Sequence, residues 1–203
     1  MMKIGITGSI GSGKTTVCKA FEALGVPVYY ADDRAKSILD ENKKVIKAVK
    51  ILLGKDIYHS NGKLKRKEVA KIVFADKKVL KKYNAIIHPE VMKDFEAWAK
   101  KQKQKVYVLK EAALLFEAGA EKGLAFVICV TAPEKIRIQR VMKRDNTQRI
   151  DIIRRMKNQL SQKEKMKRSL FRINNNGQES IAKQVYDLHE MFMKRGGRVV
   201  RKS

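Results

Sequence analysis

Short apolar runs alternate with amphipathic stretches along the chain, and their order predicts the elements. Lys3 to Thr7 is a β-branched run ending in a glycine-rich turn, and Lys14 to Leu24 then carries apolar residues at helical spacing. Gly25 closes that helix, and Val26 to Tyr30 reads as a second strand. Strand, loop, helix and strand in that order predict a parallel α/β sheet as the core. From Asn42 to Lys105, lysine-rich stretches interleave with Val, Ile, Leu and Phe at helical spacing, which predicts several amphipathic helices and no strand. The turn Ser60-Asn61-Gly62 is the clearest break in this region. Strands return at Lys105 to Glu111 and at Ala125 to Val130. Thr131-Ala132-Pro133-Glu134 then has the form of a capping box with proline in the first turn, opening a helix to about Arg144. Asp145 to Arg149 breaks the pattern, and a very basic helix is expected to continue to about Arg168. Leu170 to Ile173 reads as a last strand, and Asn174-Asn175-Asn176-Gly177 turns the chain into a closing helix. The expectation is one α/β domain. Its core comprises residues 1–41, 105–144 and 169–203, with a helical insert at 42–104 and a basic lid at 145–168.

Composition narrows the class. The chain has 203 residues, 44% of them hydrophobic, enough for a globular core and against wholesale disorder. The apolar stretch from Met1 to Gly8 is too short for a signal peptide, and no run reaches the ~20 apolar residues of a membrane span. Cys18 and Cys129 lie in apolar segments without scaffold spacing, so they are expected to be reduced packing residues of a cytoplasmic protein. Secreted mini-protein, integral membrane protein and disordered tail are excluded. Lys plus Arg number 46 against 21 Asp plus Glu, a net charge of +25 that attracts polyanions in general: nucleic acid, acidic lipid or phosphorylated small molecules.

One motif decides among these. Gly8-Ser9-Ile10-Gly11-Ser12-Gly13-Lys14-Thr15 matches G-x-x-x-x-G-K-[ST] in full and sits between a predicted strand and a predicted helix. Glycines let the backbone curl until successive N–H groups face one anion-sized hollow, and the helix that follows adds its positive end. In that pattern Lys14 reaches the β- and γ-phosphates of a nucleotide, and the Thr15 hydroxyl is a ligand for Mg²⁺. The loop alone does not separate a kinase from an NTP-driven motor or a switch protein, but its place so close to the start of a short chain suits a small phosphotransferase.

Carboxylates and arginines complete the candidate chemistry. The second predicted strand ends Tyr30-Ala31-Asp32-Asp33, and ligand sites of parallel sheets lie beyond the carboxyl ends of the strands. Asp32 is the candidate to accept the proton of an attacking hydroxyl, whereas Asp33 caps the next helix. Glu111, at the end of the third strand, is placed to steady a metal through water or to position substrate, and Glu117 stands on the same rim. Arg137, Arg140 and Arg144 fall at i, i+3 and i+7 and share one helix face aimed at a triphosphate, with Ile138, Val141 and Met142 on the core face. Arg149, Arg154 and Arg155 extend the positive field through the lid, whose closure would exclude water.

The chain as a whole resembles the dephospho-CoA kinase family. The resemblance is carried by Ile6 to Thr16, by Ala31-Asp32 at the strand end, by Ile87-His88-Pro89 and by Leu114-Leu115-Phe116-Glu117. It continues through Arg140 to Asp145, Arg149, Gln159 and Asn175-Asn176-Gly177. It implies a P-loop kinase fold with a five-stranded parallel sheet, a helical acceptor-binding insert and a lid. It also implies Mg²⁺-assisted transfer of the ATP γ-phosphate to the ribose 3′-hydroxyl of dephospho-CoA. By the same resemblance, Asp32, Lys14 and Arg140 are catalytic. Gly8, Gly11, Ser12, Gly13, Lys14, Thr15, Thr16, Arg140, Arg144, Asn175 and Gly177 hold the nucleotide, the last two beside its adenine. Asp32, His88, Glu111, Leu114 and Glu117 face the acceptor. Read without the family, His88 is a helix-end residue before Pro89. Three positions depart from the family pattern: Tyr30 replaces the first acid of Asp-Ala-Asp, Ala113 replaces the proline before Leu-Leu-Phe-Glu, and Glu111 stands where many members carry Asp.

Two further functions share these features. Another small-molecule or nucleotide kinase would use the same core, and a panel of acceptors separates it. An NTP-binding, nucleic-acid-associated protein would account for the charge, yet no stacking module accompanies the 7% aromatic residues, so neither a specific nucleic acid nor a membrane partner is expected. Lys14, Arg137, Arg140, Arg144 and Arg149 are the charges expected to meet phosphate. The insert lysines, and Lys163, Lys165, Lys167 and Arg168, are expected to be solvated.

Overall fold

The computed structural model describes residues 1–200. Five parallel strands form one sheet in the order β2-β3-β1-β4-β5: β1 Met2–Thr7, β2 Val28–Tyr30, β3 Tyr107–Glu111, β4 Phe126–Thr131 and β5 Phe171–Asn174. β1 is central, with Met2 opposite Tyr107 of β3 and Ile4 opposite Phe126 of β4. A parallel sheet is covered on both faces, so its strands are apolar runs and not alternating ones. Ile4, Ile6, Leu109, Ile128, Val130 and Ile173 are buried together with Val17, Cys18 and Phe21 of α1 (Lys14–Ala23). Val185 and Phe192 of the closing helix (Ile181–Val200) join the same core. Burying each such side chain stabilises the fold by about 1.5–3 kcal/mol.

The chain folds as two compact units, one formed by Met1–Tyr30 together with the chain from Trp98 onward, the other by Ala31–Ala97. The first holds the sheet. The second is helical, with α2 Ala31–Glu41, α3 Lys43–Leu53, a 3₁₀ turn at Lys55–Ile57, α4 Arg66–Ala75 and most of α5 Lys77–Lys101. Its own core gathers Ile38, Leu39, Val45, Val49, Leu64, Val69, Val73 and Ile87. Asn42 caps α3 by accepting the N–H groups of Lys44 and Val45. The expected turn forms around Gly62 at φ +79°, between Tyr58 and Leu64, which make an antiparallel bridge. α5 runs through Pro89, so His88 is mid-helix and not at a helix end.

The second strand starts at Val28 and not at Val26. The Val26 N–H returns to Phe21 O at 3.2 Å, and Pro27 has no N–H for the ladder. After β4 the expected capping box does not form. Thr131 is the last strand residue, its hydroxyl 2.8 Å from Asn174 Oδ1, and α6 (Glu134–Asp145) starts after Pro133 with no side-chain cap. Met142 is exposed, and the buried apolar residues of α6 are Ile138 and Val141, which cluster with Ile152. The single basic helix expected up to Arg168 is two: α7 Arg149–Lys157 and α8 Gln162–Lys167, the second capped by Ser161. The last helix, numbered α9, follows β5. Among the described residues no helix is long and apolar enough to cross a membrane.

Cys18 and Cys129 are free and fully buried. Burial pushes both thiols up, that of Cys129 to about 11. A disulfide reagent at pH 8 is therefore expected to titrate no thiol in the native protein and both after unfolding. Stoichiometric reaction of the native chain would contradict this packing.

Candidate active site

The P-loop follows β1 directly, where the chain must turn from strand into helix within a few residues. Gly11 and Gly13 adopt φ +78° and +87°, a region that side-chain-bearing residues rarely enter. Space forbids a side chain too: a Cβ on Gly8 would strike the Val130 carbonyl, one on Gly11 the Arg137 carbonyl, and one on Gly13 the Asn175 amide. The Ser12 N–H closes the turn onto Ser9 O at 3.0 Å. Ser12 is buried and its hydroxyl has no hydrogen-bond partner. Thr15 and Thr16 are exposed in the first turn of α1.

Lys14 curls back over the loop. Its Nζ donates to Gly8 O at 3.2 Å and stands 3.8 Å from Glu111 Oε1, with both side chains largely buried. Glu111 reaches this point because it ends β3, in register with Ile6 of β1 and Tyr30 of β2. A cation and a carboxylate thus face each other at the strand ends.

Behind the loop, α6 and the segment after β5 supply a second layer. The Asn175 amide donates to Ser12 O at 2.8 Å, and its carbonyl accepts from Arg140 Nη2 at 3.0 Å. Arg140 Nη1 is buried without a partner, 3.7 Å from where a Cβ on Gly13 would stand. A desolvated guanidinium N–H left unpaired is costly, which suits this atom to an anionic acceptor, and Arg137 Nη1 is buried without a partner in the same way. Arg137 plays another part. Buried at 5% exposure, it donates to Ala132 O at 3.1 Å and lies 3.7 Å from Glu134, and burial lowers its pKa against the pull of Glu134. Arg144 parts from both: exposed, it grips Asp145 at 2.7 Å, and Arg155 takes the other Asp145 oxygen at 2.8 Å. The stripe expected to aim three arginines at one ligand therefore aims only Arg140 at the loop, with Arg137 buried behind it. Arg149 is exposed. Gly177 turns at φ +88°, two residues past Asn175.

The segment read as a lid is tied down. Gln159 Oε1 accepts the Ile10 N–H at 2.9 Å, a contact on the P-loop that the sequence pattern did not suggest. Glu117 accepts the Leu160 N–H at 2.8 Å and pairs with Lys165 at 2.8 Å. Lys165 is fully buried and is not the solvated cation expected, whereas Arg168 is exposed as expected, pairing with Glu121 at 2.9 Å over the Phe116 ring. Leu114 is exposed.

Asp32 and His88 belong to the other compact unit. Both acids after Tyr30 lie in the first turn of α2, so Asp33 is not its cap. Asp33 is exposed and bound to Lys36 at 2.7 Å. Asp32 is exposed, at the helix end whose partial positive charge favours a carboxylate. His88 is half-buried in α5.

The chain is similar to known proteins over most of its length. A family model described as dephospho-CoA kinase matches residues 2–180. A dephospho-CoA kinase of Bacteroides fragilis is 34% identical over 187 residues, covering 92% of this chain and 91% of that protein. One from Porphyromonas gingivalis is 42% identical over 159 residues, 78% of each chain. Among solved structures, a Thermus thermophilus protein superposes with a TM-score of 0.81 at 33% identity, over 95% of this chain and 97% of its own.

Proposed function

The chain belongs to the dephospho-CoA kinase family, and we propose that it transfers the γ-phosphoryl group of ATP to the ribose 3′-hydroxyl of dephospho-CoA. The observation that carries this reading is the unpartnered Arg140 Nη1, buried behind a complete P-loop and held there by Asn175. An acceptor of negative charge fits it, as a nucleotide phosphate would.

In this reading Gly8, Gly11, Ser12 and Gly13 shape the phosphate hollow, Lys14 follows the charge onto the leaving β-phosphate, and Arg140 takes the transferring group. Glu111 holds Lys14 in place until nucleotide arrives. Asp32 removes the proton of the attacking hydroxyl, and His88 is assigned to the acceptor with it. Thr16, Asn175 and Gly177 complete the nucleotide side. Leu114 and Glu117 follow β3 on the acceptor side, where Glu117 acts by holding Leu160 and Lys165. Thr15 offers an exposed hydroxyl at the start of α1, and Glu111 a carboxylate. These hard oxygen donors suit Mg²⁺, which when bound would neutralise phosphate charge. Residues 145–168 are assigned as the lid. Two free thiols support a cytoplasmic setting.

An acceptor panel with γ-labelled ATP tests the reading. Label is expected on dephospho-CoA at a kcat/KM at least about a hundredfold above that for nucleosides, nucleoside monophosphates or shikimate. Equal or better transfer to any of these would replace the assignment by another small-molecule kinase.

A further inference from the structure

Seven residues, Gln159 to Lys165, bond to the chain just beyond three different strands. Gln159 accepts the Ile10 N–H after β1, and Gln162 Oε1 accepts the Ala132 N–H after β4 at 3.2 Å. After β3, Lys165 Nζ donates to Ala113 O at 2.6 Å and to Glu117 Oε1 at 2.8 Å, and that same oxygen accepts the Leu160 N–H. Glu117 therefore links Lys165 to the neighbour of Gln159 through a single atom. The Ile10 side chain is held as well, packed against the cluster of Ile138, Val141 and Ile152.

The Lys165 side chain has no exposed surface. A buried ammonium gives up its hydration, and a methionine of similar length would pack in its place without that loss. A methionine could not fix Ala113 O and Glu117 relative to the backbone of Leu160, as short charge-assisted hydrogen bonds do. The tip of the phosphate-binding loop depends on that geometry, because its Ile10 amide is met by a side chain whose own position follows from Leu160.

We propose that Lys165 is a positioning residue for phosphoryl transfer: through Glu117 it sets Gln159 on the Ile10 amide and thereby the curvature of the P-loop. This rests on the kinase function assigned to that loop. Lys165 itself touches no reacting atom, so its influence should pass through Gln159.

A double-mutant cycle on Gln159→Ala and Lys165→Met tests it, with kcat, both KM values, ATP affinity by calorimetry and Tm measured for each variant. Gln159→Ala is expected to lower kcat about tenfold, with KM for dephospho-CoA within about twofold. Lys165→Met should lose a similar factor, and the double variant no more than the larger single loss, although the two side chains make no direct bond. A purely structural lysine would lower Tm while kcat of the folded enzyme stayed unchanged, and that result overturns the proposal. Losses that multiply overturn it too. Should Lys165→Met fail to fold with Glu117 left buried and charged, Lys165→Met with Glu117→Gln removes both charges and enters the same cycle with the same expectations. ATP affinity should show the same non-additivity, and it does not depend on the acceptor. A wild-type protein that binds ATP yet fails to phosphorylate dephospho-CoA would sink the functional assignment while the cycle still judges Lys165.

Discussion

Asp32→Asn is expected to cut turnover by about 10²–10⁴-fold, the range that a general base contributes. Asparagine keeps the shape of the side chain and the first turn of α2, and removes only the charge and the ability to take a proton. ATP affinity should therefore change by less than about twofold, since the loop that holds phosphate is left intact. Asp33 provides the comparison within the same turn. Exposed and paired with Lys36 at 2.7 Å, it should tolerate the same change with turnover within about threefold. Steady-state kinetics with saturating ATP and varied dephospho-CoA reads both. Near-normal turnover in Asp32→Asn would remove Asp32 as the base.

Arg140→Ala is the other large loss, about 10³-fold or more in kcat, the scale of a guanidinium that meets transferring phosphate. Two effects combine. The unpartnered Nη1 vanishes from the loop, and the Asn175 carbonyl loses its donor while the Asn175 amide still holds Ser12 O. Arg140→Lys should not rescue it. An ammonium is one point of charge, whereas Arg140 bonds Asn175 with one nitrogen and presents a second to the loop. Single-turnover measurement of bound ATP separates the chemical step from release. A lysine variant with wild-type kcat would show that charge alone suffices at this position.

The P-loop was legible because its function constrains the backbone. Three glycines are needed where side chains would strike Val130, Arg137 and Asn175, and such positions leave a mark on sequence. Strand existence and the parallel class followed from apolar runs separated by helical spacing. What periodicity could not show was which polar groups would be drawn into long-range bonds. Lys165 lies in a stretch that reads as a solvated basic helix, and only distant partners, Glu117 48 positions earlier and the Ala113 carbonyl, explain its burial. The same stretch splits into α7 and α8 around Asn158 to Ser161, where Gln159 and Leu160 bond to Ile10 and Glu117. Arg144 shows the reverse: spacing placed it on the stripe of Arg140, but a neighbouring Asp145 offered a nearer partner. Thr131 likewise fitted a capping pattern yet spends its hydroxyl on Asn174, because β4 extends one residue further than its apolar run.

The central place of β1 also governs when during synthesis the nucleotide site comes into being. Met2 pairs with Tyr107 and Ile4 with Phe126, so both edges of this early strand wait for partners made more than a hundred residues later. Asn175, which braces the loop from behind, comes later still. At roughly 5–20 residues per second on the ribosome, the apolar run of β1 stays unpaired for many seconds. Throughout that interval Ile4 and Ile6 are open to chaperones and to aggregation, and the growing chain has no assembled cradle for ATP. The segment that carries the phosphate motif thus leaves the ribosome well before Tyr107, Phe126 and Asn175, and it becomes competent to bind only after they have followed.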